Sequence, residues 1–168
     1  TAAKDGDEAI RQFDQSSRTM LYHTHSVLEA APLILTIFPG AQLIHVTRNP
    51  VDIAEDWLRR GWGERWGQDP RAFGLAIEVN GQTVPWHAAG WGERYGDLSA
   101  SERCILSVLD LQKREQAVQA TLKETCGSQF FQFALETLLS DPENTIRQIS
   151  SFIQASPRES IASFLTTE

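Results

Sequence analysis

The sequence predicts an α/β domain with a parallel sheet flanked by helices, and two observations carry that prediction. Two short apolar runs, Gln42 to Thr47 and Gln129 to Ala134, have the length of buried strands and lie far apart in the chain. Helical periodicities fall between and after them, and strands that alternate with helices pair in parallel. A chain of 168 residues fits one domain spanning residues 1–168, with enough length to bury a core.

Residues 6–16 read as a short helix with Ile10 and Phe13 on one side. Thr19-Met20-Leu21-Tyr22 is a short apolar run expected to form a strand. From Ser26 to Ile37, Val27, Leu28, Leu33, Ile34 and Ile37 suit a packed helix, in which Pro32 should start a new turn or kink the axis. Phe38-Pro39-Gly40 stops it. The run Gln42 to Thr47 is bounded by Gly40 and Pro50, and Val51 to Arg60 then reads as a helix with Pro50 in its first turn, where a missing N–H is tolerated.

Residues 61–97 are irregular, with Trp62, Trp66, Trp86 and Trp91 set among glycines and prolines. Asn80-Gly81 is a turn signal able to join two short strands. The longest helical pattern runs from Ser99 to Thr125, with Ile105, Val108, Leu109, Gln112, Val118 and Leu122 expected near one face. Ser99 and Glu102 match a capping box at its start, and Gly127 sits where a helix-ending glycine belongs. After the strand ending at Ala134, a short helix at Glu136 to Leu139 precedes a final one at Pro142 to Ile153, whose inner side is Ile146, Ile149, Phe152 and Ile153.

Fifteen basic against twenty-two acidic residues give a net charge of −7. That balance argues against wholesale nucleic-acid binding, because phosphate neutralisation needs a basic face. A small anionic ligand is still compatible, since one arginine at a helix N-terminus makes a local anion site in an acidic protein. No stretch approaches the roughly 20 apolar residues needed to cross a bilayer. Cys104 and Cys126 lack CxxC spacing, which argues against a zinc site or disulfide framework and for a reducing compartment, the cytoplasm by default.

Arg48 stands where a buried strand ends and Pro50 opens a helix. Ligands in open α/β sheets bind at such carboxyl ends, and the guanidinium fork matches phosphate oxygens. The N–H groups of the following helix are expected to add positive potential, with Asp52 bracing that helix end. The competing reading of the same spacing is a surface ion pair of Arg48 with Asp52 or Asp56. Trp57, Trp62 and Trp66 read either as anchors of a long loop or as the lining of an acceptor pocket.

The segment Phe38-Pro39-Gly40-Ala41-Gln42-Leu43-Ile44-His45-Val46-Thr47-Arg48-Asn49-Pro50-Val51-Asp52 resembles the stretch with which sulfotransferases hold the 3′-phosphate of 3′-phosphoadenosine 5′-phosphosulfate. About ninety residues on, Glu136-Thr137-Leu138-Leu139-Ser140-Asp141-Pro142-Glu143-Asn144-Thr145 is similar to the family's Glu-Asp-Leu-x-x-Asp-Pro-x-x-Thr element. The helix after it, from Ile146 to Ile153, resembles the one that ends in Phe-Leu in the family. The resemblance extends from about residue 19 to 154. It implies a three-layer P-loop NTPase-like domain that moves a sulfonyl group to a hydroxyl or amine of a small-molecule or glycan-type acceptor, without a metal. Arg48 would hold the 3′-phosphate. His25, at the end of His23-Thr24-His25, takes the position of the family's general base, a task suited to a side chain that titrates near neutrality.

Three positions depart from the pattern. No glycine-rich 5′-phosphosulfate loop occurs in residues 1–18, so the chain reads as the domain without its first strand and loop. The serine eight positions after the arginine is Asp56, a carboxylate compatible with a 3′-phosphate only if protonated, turned away or paired with Arg59 or Arg60. Leu135 replaces the aromatic residue before the Glu-Asp-Leu element. Glu136 is expected to brace its own short helix, and His45 to pack on a face of its strand. These departures keep open a second reading, a nucleotide-binding or regulatory domain with this fold and no chemistry. A nucleotide kinase-like phosphotransferase would need a Walker-type lysine that the chain lacks.

Overall fold

A computed structural model describes residues 4–16, 19–24, 28–64, 75–157 and 161. It is a mixed α/β protein, as the alternation of strands and helices requires. Helix α1 (Gly6–Asp14) is capped by Asp5, whose carboxylate accepts the Glu8 N–H at 2.8 Å. A 3-10 turn at Leu28–Ala30 leads into α2 (Ala31–Ile37), so the change of helix type falls just before Pro32, as that residue dictates. Strand β1 (Leu43–Thr47) is followed by α3 (Pro50–Arg59). The hairpin of β2 (Ala76–Val79) and β3 (Gln82–Pro85) precedes two 3-10 turns, Trp86–Gly90 and Gly92–Asp97. Helix α4 (Ala100–Cys126) then returns the chain to β4 (Phe130–Ala134), α5 (Leu135–Ser140) and α6 (Pro142–Phe152).

Strands β1 and β4 pair in parallel, Leu43 opposite Phe130 and Thr47 opposite Ala134. Successive side chains leave the sheet on opposite faces, and helices lie on both. On one, Leu43 and Phe130 pack with Leu28, Ala31, Leu35, Leu122 and Cys126 from α2, its leading turn and α4. Burying a leucine as completely as Leu122 contributes about 1.5–3 kcal/mol. On the other face, Phe131 stacks on Phe152 of α6 at 5.3 Å between ring centres.

A second, smaller core lies under the β2–β3 hairpin. Asn80 and Gly81 both take positive φ, 50° and 78°, the geometry that lets a two-residue turn follow the twist of its strands. Val84, Ala88 and Tyr95 are buried here against Ile77, Val79 and Trp91. Arg103 of α4 ties this unit down by donating to the carbonyls of Tyr95 at 2.7 Å, Gly63 at 3.1 Å and Gly96 at 3.2 Å. Glycine is required at position 63, because a Cβ there would collide with the Ala100 carbonyl.

Three expectations are corrected. Thr19-Met20-Leu21-Tyr22 forms no strand: it is irregular, with Met20, Leu21 and Tyr22 largely exposed. An extended run needs a partner for its backbone, and no described strand pairs with it. Helix α2 buries Ala31 and Leu35, whereas Leu33 and Ile37, expected to pack, are exposed. The inner face of α4 is carried by Cys104, Ser107, Val108, Leu122 and Cys126, whereas Ile105 and Leu109 face outward. Val108 and Leu122 lie on the inner face as expected, and a reading weighted toward large apolar residues passes over the small Cys104 and Ser107.

Candidate functional site

The carboxyl ends of β1 and β4 lie side by side, which brings together two segments remote in sequence. Thr47 closes the ladder, and its Oγ1 donates to the Phe133 carbonyl at 3.3 Å. Asn49 caps α3, its side-chain oxygen accepting the Val51 N–H at 2.9 Å, and Pro50 follows as the first helical residue. From the start of α5, Glu136 Oε1 accepts the Asn49 N–H at 2.6 Å. That bond, its own backbone amide and the nearby Arg48 charge hold the Glu136 carboxyl below the usual carboxylate range.

Arg48 stands between these fixed points. It is exposed, and its guanidinium makes no hydrogen bond or ion pair with a described residue. The ion pair with Asp52 or Asp56 is therefore not what the arginine does. A charged fork without a hydrogen-bond or ion-pair partner among the described residues, at a strand end, suits an anion's oxygens. The neighbouring amides contribute less than the sequence implied, since Asn49 and Val51 already give their N–H groups to side chains. The brace at this helix end is Asn49 and not Asp52, which is exposed. An arginine with one adjacent carboxylate, and not a ring of free amides, defines the electrostatics here.

Asp56 lies two turns along α3 and is bound to Arg60, whose Nε donates to its Oδ2 at 2.8 Å. Arg59 pairs with Glu55 at 3.7 Å. Both arginines thus neutralise carboxylates of their own helix, one of the three arrangements under which Asp56 tolerates an anion nearby. His25 and Trp66 lie outside the described residues. His23 is exposed and Thr24 half-buried. Leu135, at the start of α5, is half-buried.

His45 takes the sheet-face position expected of it, turned toward α4 with Nε2 3.8 Å from Glu115. Beside it Gln119 Nε2 donates to Gln132 Oε1 at 2.7 Å, so α4 meets the middle of the sheet through polar groups. The described tryptophans here cluster: Trp57 lies 5.2 Å from Trp62 and 6.5 Å from the buried His87, which meets Trp86 edge-on at 5.8 Å. Burial lowers the His87 pKa to about 4, offset in part by Asp110 and reinforced by Arg114. Among the described residues no group of three or more His, Cys, Asp or Glu side chains is placed to hold a metal ion. No helix among them is long and apolar enough to cross a membrane.

The clasp between Glu136 and Asn49 is the feature that sequence reasoning missed. An asparagine before a proline at a strand-helix junction does signal a cap, but nothing local points from position 49 to position 136. Comparison of the chain with protein-family models, with curated proteins and with solved structures finds no match.

Proposed function

We propose that this chain is a sulfotransferase with a three-layer P-loop NTPase-like architecture, which binds 3′-phosphoadenosine 5′-phosphosulfate through Arg48. The observation that carries this reading is the 2.6 Å bond from Asn49 to Glu136. It joins the two segments whose sequences resemble the family's, at the strand ends where a ligand belongs. The exposed Arg48 guanidinium is the group that would meet the 3′-phosphate, and Asp56 is kept from opposing it by Arg60. His25 would take the proton of the acceptor hydroxyl or amine.

The nucleotide, when bound, supplies the sulfonyl group and departs as 3′-phosphoadenosine 5′-phosphate. The chain's share of the work is to hold the phosphate end and to receive that proton, so positioning and charge dominate. Acceptors of the small-molecule or glycan type follow from the family resemblance.

Calorimetric titration with 3′-phosphoadenosine 5′-phosphate tests the reading. Binding is expected to weaken about 10–100-fold in Arg48→Ala, the worth of a hydrogen-bonded charge. Absence of binding, or binding indifferent to Arg48, would overturn it. The occupied Asn49 and Val51 amides favour a second reading, a nucleotide-binding domain without transfer. Tight binding with no transfer of labelled sulfonyl to any hydroxyl or amine acceptor would select that alternative.

A further inference from the structure

We infer that Glu136 is a positioning residue for Arg48, an inference that rests on Arg48 being the phosphate ligand. Arg48 has one neighbour on each side, Thr47 tied to strand β4 and Asn49 to the start of α5. Thr47 is held by the ladder and by its hydroxyl bond to the Phe133 carbonyl at 3.3 Å. Asn49 is held through its N–H by Glu136 at 2.6 Å, across 87 residues of sequence. The Asn49 side chain then caps α3 at Val51, so the same residue fixes where the helix begins. With both flanks fixed, the arginine backbone enters binding already ordered, and less entropy is lost when an anion arrives.

A carboxylate in this role has two opposite effects. Its oxygen orders the turn, while its charge, close enough to Arg48 to be felt in its own titration, opposes an incoming phosphate. Glutamine at this position keeps the acceptor oxygen and removes the charge; alanine removes both. A residue that merely stabilised the fold would not separate the two substitutions in ligand preference.

The experiment follows amide hydrogen exchange at Asn49 and titrates 3′-phosphoadenosine 5′-phosphate against adenosine 5′-phosphate in wild type, Glu136→Gln and Glu136→Ala. In Glu136→Ala, Asn49 is expected to exchange about tenfold faster, and the preference for the 3′-phosphorylated ligand to fall about tenfold. Glu136→Gln is expected to keep near-wild-type exchange and at least the wild-type preference. In an Arg48→Ala background neither substitution should alter the preference. Unchanged Asn49 exchange in Glu136→Ala overturns the inference, as does a loss of preference that persists without Arg48. A wild type with no preference for the 3′-phosphate removes the Arg48 reading instead, and the exchange comparison then decides the clasp by itself.

Discussion

The end of the parallel sheet and the hairpin unit are built on opposite principles. At the sheet end Arg48, Asn49 and Glu136 are all exposed, and order comes from hydrogen bonds between residues far apart in sequence. Under the hairpin, order comes from burial: Val84 and Ala88 are fully enclosed, with His87 and Tyr95 nearly so. One region offers polar groups to solvent at little cost to stability. The other spends its aromatic residues on packing. On the proposed function, binding and fold stability fall to different residues, and substitutions should separate them.

The largest expected effect is Tyr95→Ala, which removes a buried ring stacked on Trp91 at 5.6 Å. It should cost about 3–5 kcal/mol in urea unfolding while leaving nucleotide affinity per folded molecule unchanged. A concurrent loss of affinity would show that the two regions are coupled.

Next comes pH. His87 titrates near 6.5 when unfolded and about 4 in the folded protein, because burial disfavours its charged form. The unfolded chain therefore binds the extra proton between those values. Stability should be fully present above about pH 6.5 and fall, by on the order of 3 kcal/mol, as pH drops toward 4. Glu136 acts in a lower window, since its depressed carboxyl pKa means that its contribution is lost only as pH falls through that depressed value. Unfolding midpoints measured at pH 7 and pH 5 should thus report the hairpin unit, and a His87→Phe variant should flatten the difference.

Tyr95→Phe is smaller and opposite in sign. The Tyr95 hydroxyl is buried without a hydrogen-bond partner among the described residues, so its removal should stabilise the protein by about 1 kcal/mol in the same denaturation assay. Smallest is Arg48→Ala, whose effect on stability should stay within about 0.5 kcal/mol, the range of exposed positions, even as phosphate binding falls.

Features decided within a few residues were legible in the sequence. Asn80-Gly81 forms its hairpin turn, Ser99 and Glu102 form their capping box, and the two apolar runs become β1 and β4 with boundaries shifted by about one residue, although they are half-buried and not buried as expected, with Val46 exposed. The place of Arg48 between a strand end and a helix start was legible as well, because an apolar run followed by proline is a local signal. Features decided by partners were not. Thr19 to Tyr22 has strand composition, yet pairing depends on another strand, and none described pairs with it. The inner face of α4 turns on Cys104 and Ser107, whose small size matters only once the neighbouring elements are in place. The partner of the Asn49 N–H lies beyond the reach of any local pattern.

The 87-residue span that Glu136 closes onto Asn49 also sets an order of events. Bringing such distant points together costs about 4 kcal/mol of chain entropy before the contact returns anything. The α4 turns and the β2–β3 hairpin close over far shorter stretches and carry no such debt. During folding they should form early, with the parallel pairing and its clasp among the last contacts made. The Arg48 turn is then a late product of the chain, assembled only when its two halves have met, and a partly folded molecule would expose the arginine without ordering it.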